Sequence, residues 1–346
     1  MKIPLALVGC GKVAGKHLAA LRALSEEIEV VGLVDPDEKA RARADRLIPA
    51  PQFAGLDELL AAPRRPQVVS LATPTGLHPR QALQCAEAGI DVLTEKPLGT
   101  SLQEASEMVR RFQALKRRLY VVKQLRFHPL FLALREAVME ERFGEIYTLA
   151  LQVFWCRPQS YYDEARWRGT REMDGGALLN QASHYIDLLG WIFGPVEDVQ
   201  AQGGAMGRKI ESEDTALVSL RFEEGFMGSL HVSMLARERN LATSLTVLGS
   251  KGMVRLDGPA CDQVLAWEFD DPTALDEEIA LRGAAVPEAL RRGHEQVYRE
   301  MVTSLRGHGG AVVHGEEALR SLAIIDAAYR AMAASPGRRL APLEVR

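Results

Sequence analysis

The 346-residue sequence lacks most of what would mark a disulfide-stapled, metal-dependent or membrane-embedded chain. It has four cysteines, Cys10, Cys85, Cys156 and Cys261, so widely spaced that no C-x-x-C pair exists. That excludes a zinc knuckle or a redox dithiol, and a chain of this length does not need staples to hold its core. Its eight histidines show no H-E-x-x-H or similar ligand spacing, which argues against a catalytic metal. No run approaches the roughly 20 apolar residues of a membrane span. The short apolar run at 3–8 reads as a strand, not as the core of a secretion signal. An excess of one charge is missing too: 42 Lys+Arg face 46 Asp+Glu, a net charge of −4. Nothing there calls for nucleic acid or an anionic membrane surface. The expectation is a cytoplasmic protein that handles a small molecule.

What is present suits two globular cores, with 47% apolar and 25% charged residues. The first third alternates strands at 3–8, 28–34, 68–72, 92–94 and 119–122 with helices at 13–24, 36–47, 79–88 and 102–115. Strands separated by helices of that length mean βαβ units and a parallel sheet. After residue 126 the texture changes. A long strand at 146–155 and an apolar helix at 176–193 precede strand-like runs at 199–202, 216–222, 226–235, 244–248 and 253–256. Glu223-Glu224-Gly225 and Gly249-Ser250-Lys251-Gly252 read as hairpin turns. Helices at about 287–305 and 316–333 close the chain. The fold class is α/β: a doubly wound parallel Rossmann sheet over 1–125, then an α+β domain over 126–346 with a mostly antiparallel sheet.

Gly9-Cys10-Gly11-Lys12-Val13-Ala14 follows a strand and opens a helix, matching G-x-G-x-x-G/A. Gly9 permits the tight turn, Gly11 lets the backbone approach a pyrophosphate, and Ala14 allows close helix–sheet packing. The first N–H groups of the helix then point at phosphate oxygens. Asp35 ends the second strand, where an acid suits the ribose hydroxyls and repels a 2′-phosphate; Pro36 follows with no adjacent Arg. These features point to NAD. Asp35 also serves as a plain helix cap in the blander reading.

Lys96, in Thr94-Glu95-Lys96-Pro97, lies beyond the carboxyl end of a parallel strand, where such sheets bind ligands. Most lysines are surface lysines, and the tripeptide alone does not overturn that. On the apolar helix 176–193, Asn180, His184 and Asp187 fall at i, i+4 and i+7, on one face. That polar line either borders a site or forms a structural hydrogen-bond network. Arg157, Tyr161, Tyr162, Trp167 and Arg168 concentrate anion-binding and stacking groups in one segment, which otherwise reads as a loop folded over aromatic anchors.

The set Gly9-x-Gly11-x-x-Ala14-x-x-His17, Glu95-Lys96-Pro97 and Gly175-Gly176-x-x-x-Asn180-x-x-x-His184 resembles the Gfo/Idh/MocA oxidoreductases. The resemblance implies an open-faced second sheet that builds dimers or tetramers. It assigns the cofactor to Gly9, Gly11, Lys12, Val13, Asp35, Thr73, Pro74, His78, Glu95, Lys96, Gln124, Trp167 and Arg168. It assigns the substrate to Lys96, Arg157, Tyr161, Tyr162, Arg168, Asn180 and His184. Many members carry Asp at the position of Asn180, and an amide cannot stabilise a protonated His184 by charge. That moves the proton work towards Lys96. Local motifs such as Phe154-Trp155-x-Arg157-Pro158-Gln159-x-Tyr161-Tyr162-Asp163 and Asn180-Gln181-Ala182-Ser183-His184-Tyr185 look like the WlbA-type UDP-N-acetylglucosaminuronate 3-dehydrogenases, in which Asn180 is expected. That subgroup oxidises a sugar 3-hydroxyl on the way to diacetamido-uronic acids of surface polysaccharides. The implied mechanism has Lys96 as proton acceptor, its pKa lowered by burial, and His184 orienting the hydroxyl or relaying the proton. The rival readings are an NAD(P)-dependent dehydrogenase of a free polyol or sugar such as an inositol, and a non-catalytic dinucleotide-binding regulator.

Overall fold

The computed structural model describes residues 1–282 and 292–334. Strands β1 (Ile3–Val8), β2 (Ile28–Val34), β3 (Gln52–Phe53), β4 (Val68–Leu71), β5 (Asp91–Thr94) and β6 (Leu119–Val121) pair in parallel. Every residue of β4 and β5 is buried, as expected of strands covered by helices on both faces. The spatial order β6-β5-β4-β1-β2-β3 reverses between β4 and β1. That reversal opens a crevice at the carboxyl ends of these two strands.

The second sheet holds β7 (Ile146–Phe154), β8 (Val196–Gly204), β9 (Thr215–Phe222), β10 (Met227–Ser233), β11 (Ala242–Gly249), β12 (Gly252–Asp257) and β13 (Gln263–Phe269), in the order β13-β12-β11-β7-β10-β9-β8. All its pairs are antiparallel except β10 with β7. Alternation sets its faces: Ala216, Val218, Leu220 and Phe222 of β9 are buried, while Leu217, Ser219 and Arg221 are exposed. The buried face joins a core with helices Ser183–Phe193 and Gly315–Ala334.

Several elements depart from the sequence reading, and three of them shape the second half of the chain. β13 was not anticipated, because acidic and Gly/Pro-containing stretches flank it and its order comes from pairing with β12. The helix Pro129–Met139 was not anticipated either; its cap is His128, whose Nδ1 accepts the Leu130 N–H at 3.2 Å. The continuous helix expected at 176–193 is broken at Ala182 into a π-helical turn, Ala177–Gln181, and an α-helix, Ser183–Phe193. The break follows from anchoring: the Glu213 backbone carbonyl accepts the Ala177 N–H at 2.9 Å, and its carboxylate accepts the Leu178 N–H at 2.8 Å. A side chain at Gly176 would collide with that carboxylate. Part of the helix expected at 287–305 falls at 287–291, outside the described residues; Gly293–Leu305 is helical. Among the described residues, no helix is long and apolar enough to cross a membrane.

The chain end returns to the first sheet. A short strand β14 (Val313–His314) pairs antiparallel with β6. Helix Gly293–Leu305 lies on helix Ala14–Ala23. With a division at 125/126, the second portion thus lends a strand and a helix to the first. Tyr298 is the polar pin of that return: its buried hydroxyl lies 2.7 Å from His17 Nδ1 and 2.8 Å from Ser70 Oγ. Tyr298→Phe removes a partner from His17 and Ser70 and leaves them their mutual 3.4 Å contact, and is expected to cost about 1 kcal/mol. A urea unfolding series on the two proteins measures it; equal midpoints would mean the pin contributes nothing.

Candidate active site

The glycine turn has the shape its motif implies. Gly9 has φ +97°, and a Cβ there would lie 2.5 Å from the Ala72 carbonyl oxygen, so only glycine fits. At Gly11 an added Cβ meets nothing within 4 Å. Helix Ala14–Ala23 begins without any side-chain cap. The Ala14 and Lys16 N–H groups donate to the Gly11 and Val13 carbonyls at 3.2 and 2.9 Å, and the helix dipole favours an anion at this turn. These residues fit a dinucleotide pyrophosphate. A cleft of about 870 Å³ starts at this turn. Gly9, Gly11, Lys12, Val13, Asp35, Thr73 and Pro74 line one wall; Tyr161, Trp167, Arg168 and Asn180 line the other.

Asp35 is held at the end of β2 by the Cys10 N–H at 2.8 Å and the Asp37 N–H at 2.9 Å, one to each carboxylate oxygen. Each oxygen keeps a lone pair for a hydroxyl donor. The expectation that no arginine stands beside Asp35 needs correcting. Arg41 folds back to donate to the Asp35 carbonyl, a contact that sequence adjacency hides because the helix between them brings it round. Across the cleft, Glu164 Oε2 receives Lys12 at 3.1 Å and Arg168 at 2.6 Å, so two expected site cations share one carboxylate.

Lys96 leaves the end of β5 and donates from Nζ to the Asn180 backbone carbonyl at 2.5 Å, joining the two halves of the chain. Burial lowers its pKa to about 8, against the opposing pull of Glu95; the Lys123 cation lowers it further. His184 lies on the facing helix with Nε2 3.0 Å from Gln124 Nε2. Among the described residues its other nitrogen, Nδ1, is buried without a partner, as is Gln124 Oε1. Burial, then Lys96 and Lys123, push the imidazole pKa well below its ordinary value, so His184 is neutral.

Behind this pair lies a buried charge cluster that the sequence reading missed. Asp187 sits 3.1 Å from Lys123 Nζ and takes a bidentate hydrogen bond from Arg126 at 2.7 and 3.0 Å. Glu317 and Ser321 of the last helix complete it, pairing with Arg126 and Lys123 respectively. The polar line read on the helix therefore divides: Asn180 lines the cleft, His184 stands off that lining against Gln124, and Asp187 is structural.

The other expected residues separate in the same way. Arg157 stands over the rings of Trp155 and Tyr161 and bonds Gln181, Asn240 and the Cys156 carbonyl. Tyr161 and Trp167 reach the cleft, but Tyr162 is buried against Gly169 and does not line it. His78 is buried, its ring nitrogens 2.8 Å from the Pro97 carbonyl and 2.9 Å from the Thr73 carbonyl, so it braces the strand ends. Glu95 also turns inward, 3.0 Å from His17 Nε2 and 3.1 Å from His294 Nε2. Those three groups come from distant stretches, and no motif spacing signals their meeting. Asp174 was missed as well; its only sequence signal is its place directly before Gly175-Gly176.

Residues 3–123 match the family described as "Oxidoreductase family, NAD-binding Rossmann fold", and residues 131–255 match the "GFO/IDH/MocA C-terminal domain". The WlbA dehydrogenase from Chromobacterium violaceum, solved with NADH and UDP-GlcNAcA, is 43% identical, covers 99% of this chain and 97% of its own, and superposes with a TM-score of 0.91. Its counterpart from Bordetella pertussis, solved with the same two ligands, is 40% identical over 96% of each chain, with a TM-score of 0.90. The D-apiose dehydrogenase of Paraburkholderia graminis is 26% identical over 96% of this chain and 88% of its own.

Asp187 offers a test of the cluster. Burial alone would raise its pKa, but Lys123 and Arg126 outweigh that and hold it at about 2. Against an unfolded value near 3.9, its contribution to stability is present above about pH 4 and fades as pH falls through 2. Asp187→Asn leaves Lys123 without a carboxylate and Arg126 with Glu317 alone, and is expected to cost about 3–5 kcal/mol at neutral pH. Chemical denaturation at neutral pH and at acid pH checks both the cost and its convergence towards the parent at low pH.

Proposed function

The chain belongs to the Gfo/Idh/MocA oxidoreductase family, and on that footing we propose that it oxidises the 3-hydroxyl of a UDP-N-acetylglucosaminuronate-like nucleotide sugar to a ketone. The observation that carries this reading is the Lys96 amine, poised at about 8 and set against Asn180 and His184 beside the dinucleotide cleft. NAD, held at the Gly9–Ala14 turn and by Asp35, supplies the hydride acceptor. The 40–43% identity to two WlbA dehydrogenases solved with NADH and UDP-GlcNAcA supports the substrate class.

In this mechanism Lys96, as the neutral amine, takes the proton of the hydroxyl as its hydride departs. Its depressed pKa makes that form available near neutrality, where a free lysine at about 10.4 is almost wholly charged. His184 stays neutral. With Nε2 facing the Gln124 amide, its partnerless Nδ1 is available to hydrogen-bond and orient the hydroxyl. Arg157 and Arg168, stacked on aromatic rings in the wall facing the Rossmann sheet, suit the carboxylate and diphosphate oxygens. We also read the exposed sheet face as an oligomer surface. Met227 and Leu248 both lie beside Thr148, and Met253 pairs with Leu248, an apolar row across neighbouring strands.

The D-apiose dehydrogenase similarity favours a second reading, oxidation of a free sugar. The presence of both Lys96 and His184 weighs against a non-catalytic regulator. NAD reduction followed by nicotinamide absorbance is expected with UDP-N-acetylglucosaminuronate and not with inositol or apiose. Lys96→Met should still bind NAD yet lose at least about 100-fold in turnover. Turnover of the free sugars alone, or undiminished activity in that variant, would overturn the reading.

A further inference from the structure

The site contains a buried carboxylate that the mechanism above does not use. Asp174 is 2% exposed and sits in the loop just before the π-helical turn. One carboxylate oxygen takes the Gly169 N–H at 2.6 Å; the other takes the side-chain amide of Asn180. The backbone carbonyl of that same Asn180 receives Lys96 Nζ. Three groups therefore form a chain: carboxylate, asparagine, amine. The asparagine amide is further fixed on its oxygen by Gln181 Nε2 at 3.1 Å. Asp174 thus ties down the Asn180 side chain, and its carboxylate is near enough to Lys96 to act on the amine's charge.

We propose that Asp174 is a positioning residue for Lys96, holding Asn180 against the amine and supplying the charge that stabilises its protonated form. Two carboxylates face Lys96, but Glu95 is shared with His17, His294 and the Lys96 backbone N–H. Lys123, Lys16, His184 and His78 also face the amine, and none of them is anionic. Around Asp174 itself stand Lys96, Arg168 and the Tyr162 hydroxyl. Both Asp174 oxygens accept N–H donors, the arrangement that suits a carboxylate; burial pushes its pKa upward on balance, against the pull of those donors and the two cations.

The proposal rests on the reading of Lys96 as proton acceptor, so the test separates the two. The titration of Lys96 is read in the full-length chain, without cofactor or substrate, from pH-dependent acetylation by acetic anhydride followed by peptide mass spectrometry. Removing a facing anion destabilises the ammonium, so Asp174→Asn should move the Lys96 midpoint down by at least about half a pH unit. The acid limb of kcat/KM should move with it, with KM for NAD little changed. Exchanging the pair, Asp174→Asn with Asn180→Asp, returns an anion to the same contact and should restore the midpoint. This exchange also serves if the single variant does not fold, since it keeps the same atoms. A Lys96 titration unmoved in Asp174→Asn, or a lowered one that the exchange does not restore, overturns the proposal. A moved titration with an unmoved kinetic limb upholds the hold of Asp174 on Lys96 and counts against Lys96 as the base.

Discussion

One site holds a buried lysine, Lys123, and a half-buried one, Lys96, and much of the surrounding structure is explained by what that requires. Removing an ammonium from water costs several kcal/mol unless a partner compensates. Lys123 is compensated directly by Asp187, with Arg126 and Glu317 extending the cluster. Lys96 is compensated less fully, by a carbonyl at Nζ and by carboxylates that have other partners. The unequal treatment divides the labour. Burial lowers the Lys123 pKa against the opposing pull of Asp187, and its field reaches both Lys96 and His184.

That arrangement dictates the path of the chain. The groups that compensate the buried charges are spread over most of its length: Lys96 and Glu95 at the end of β5, Lys123 and Arg126 after β6, Asp174 and Asp187 in the second half. The last helix then reaches back to two of them and to the anchor of the π-helical turn. Ser321 meets Lys123, Glu317 meets Arg126, and Tyr329 bonds Glu213, the residue that anchors the π-helical turn. Burial raises the Glu213 carboxyl to about 7, and its donors are fixed backbone and phenol groups. A site assembled in this way forms only when the chain end has docked, so its geometry depends on the whole fold and not on the Rossmann sheet alone.

This explains what was legible in the sequence. The parallel sheet, the fingerprint and the second sheet were readable because each rests on local periodicity or on a contiguous motif. Lys96 and His184 were readable because each lies at a position with a simple geometric meaning, a strand end and a helix face. The π-helical turn was not, because its cause is Glu213, more than thirty residues away, acting through two N–H groups. Asp174, Lys123 and the Glu95 cluster were hidden for the same reason: their partners lie far along the chain, and single residues carry no period. Tyr162 and His78 failed in the opposite sense. They belong to suggestive stretches, but burial assigns them to packing and bracing.

The sequence left open which of Lys96 and His184 exchanges a proton, and the electrostatics bear on that choice. Two titratable groups whose surroundings drive their pKa values apart take different roles. His184 is held well below its ordinary value by burial and two neighbouring cations, so its charge does not change at working pH. Lys96 is brought to about 8, inside the range where its charge does change. A group that stays neutral serves as a hydrogen-bonding guide, and one that titrates near neutrality serves as the acceptor. Burial first, and the field of Lys123 second, act on both groups, so the proposed division of roles rests on one shared environment that drives the imidazole well below its ordinary value and brings the amine to about 8.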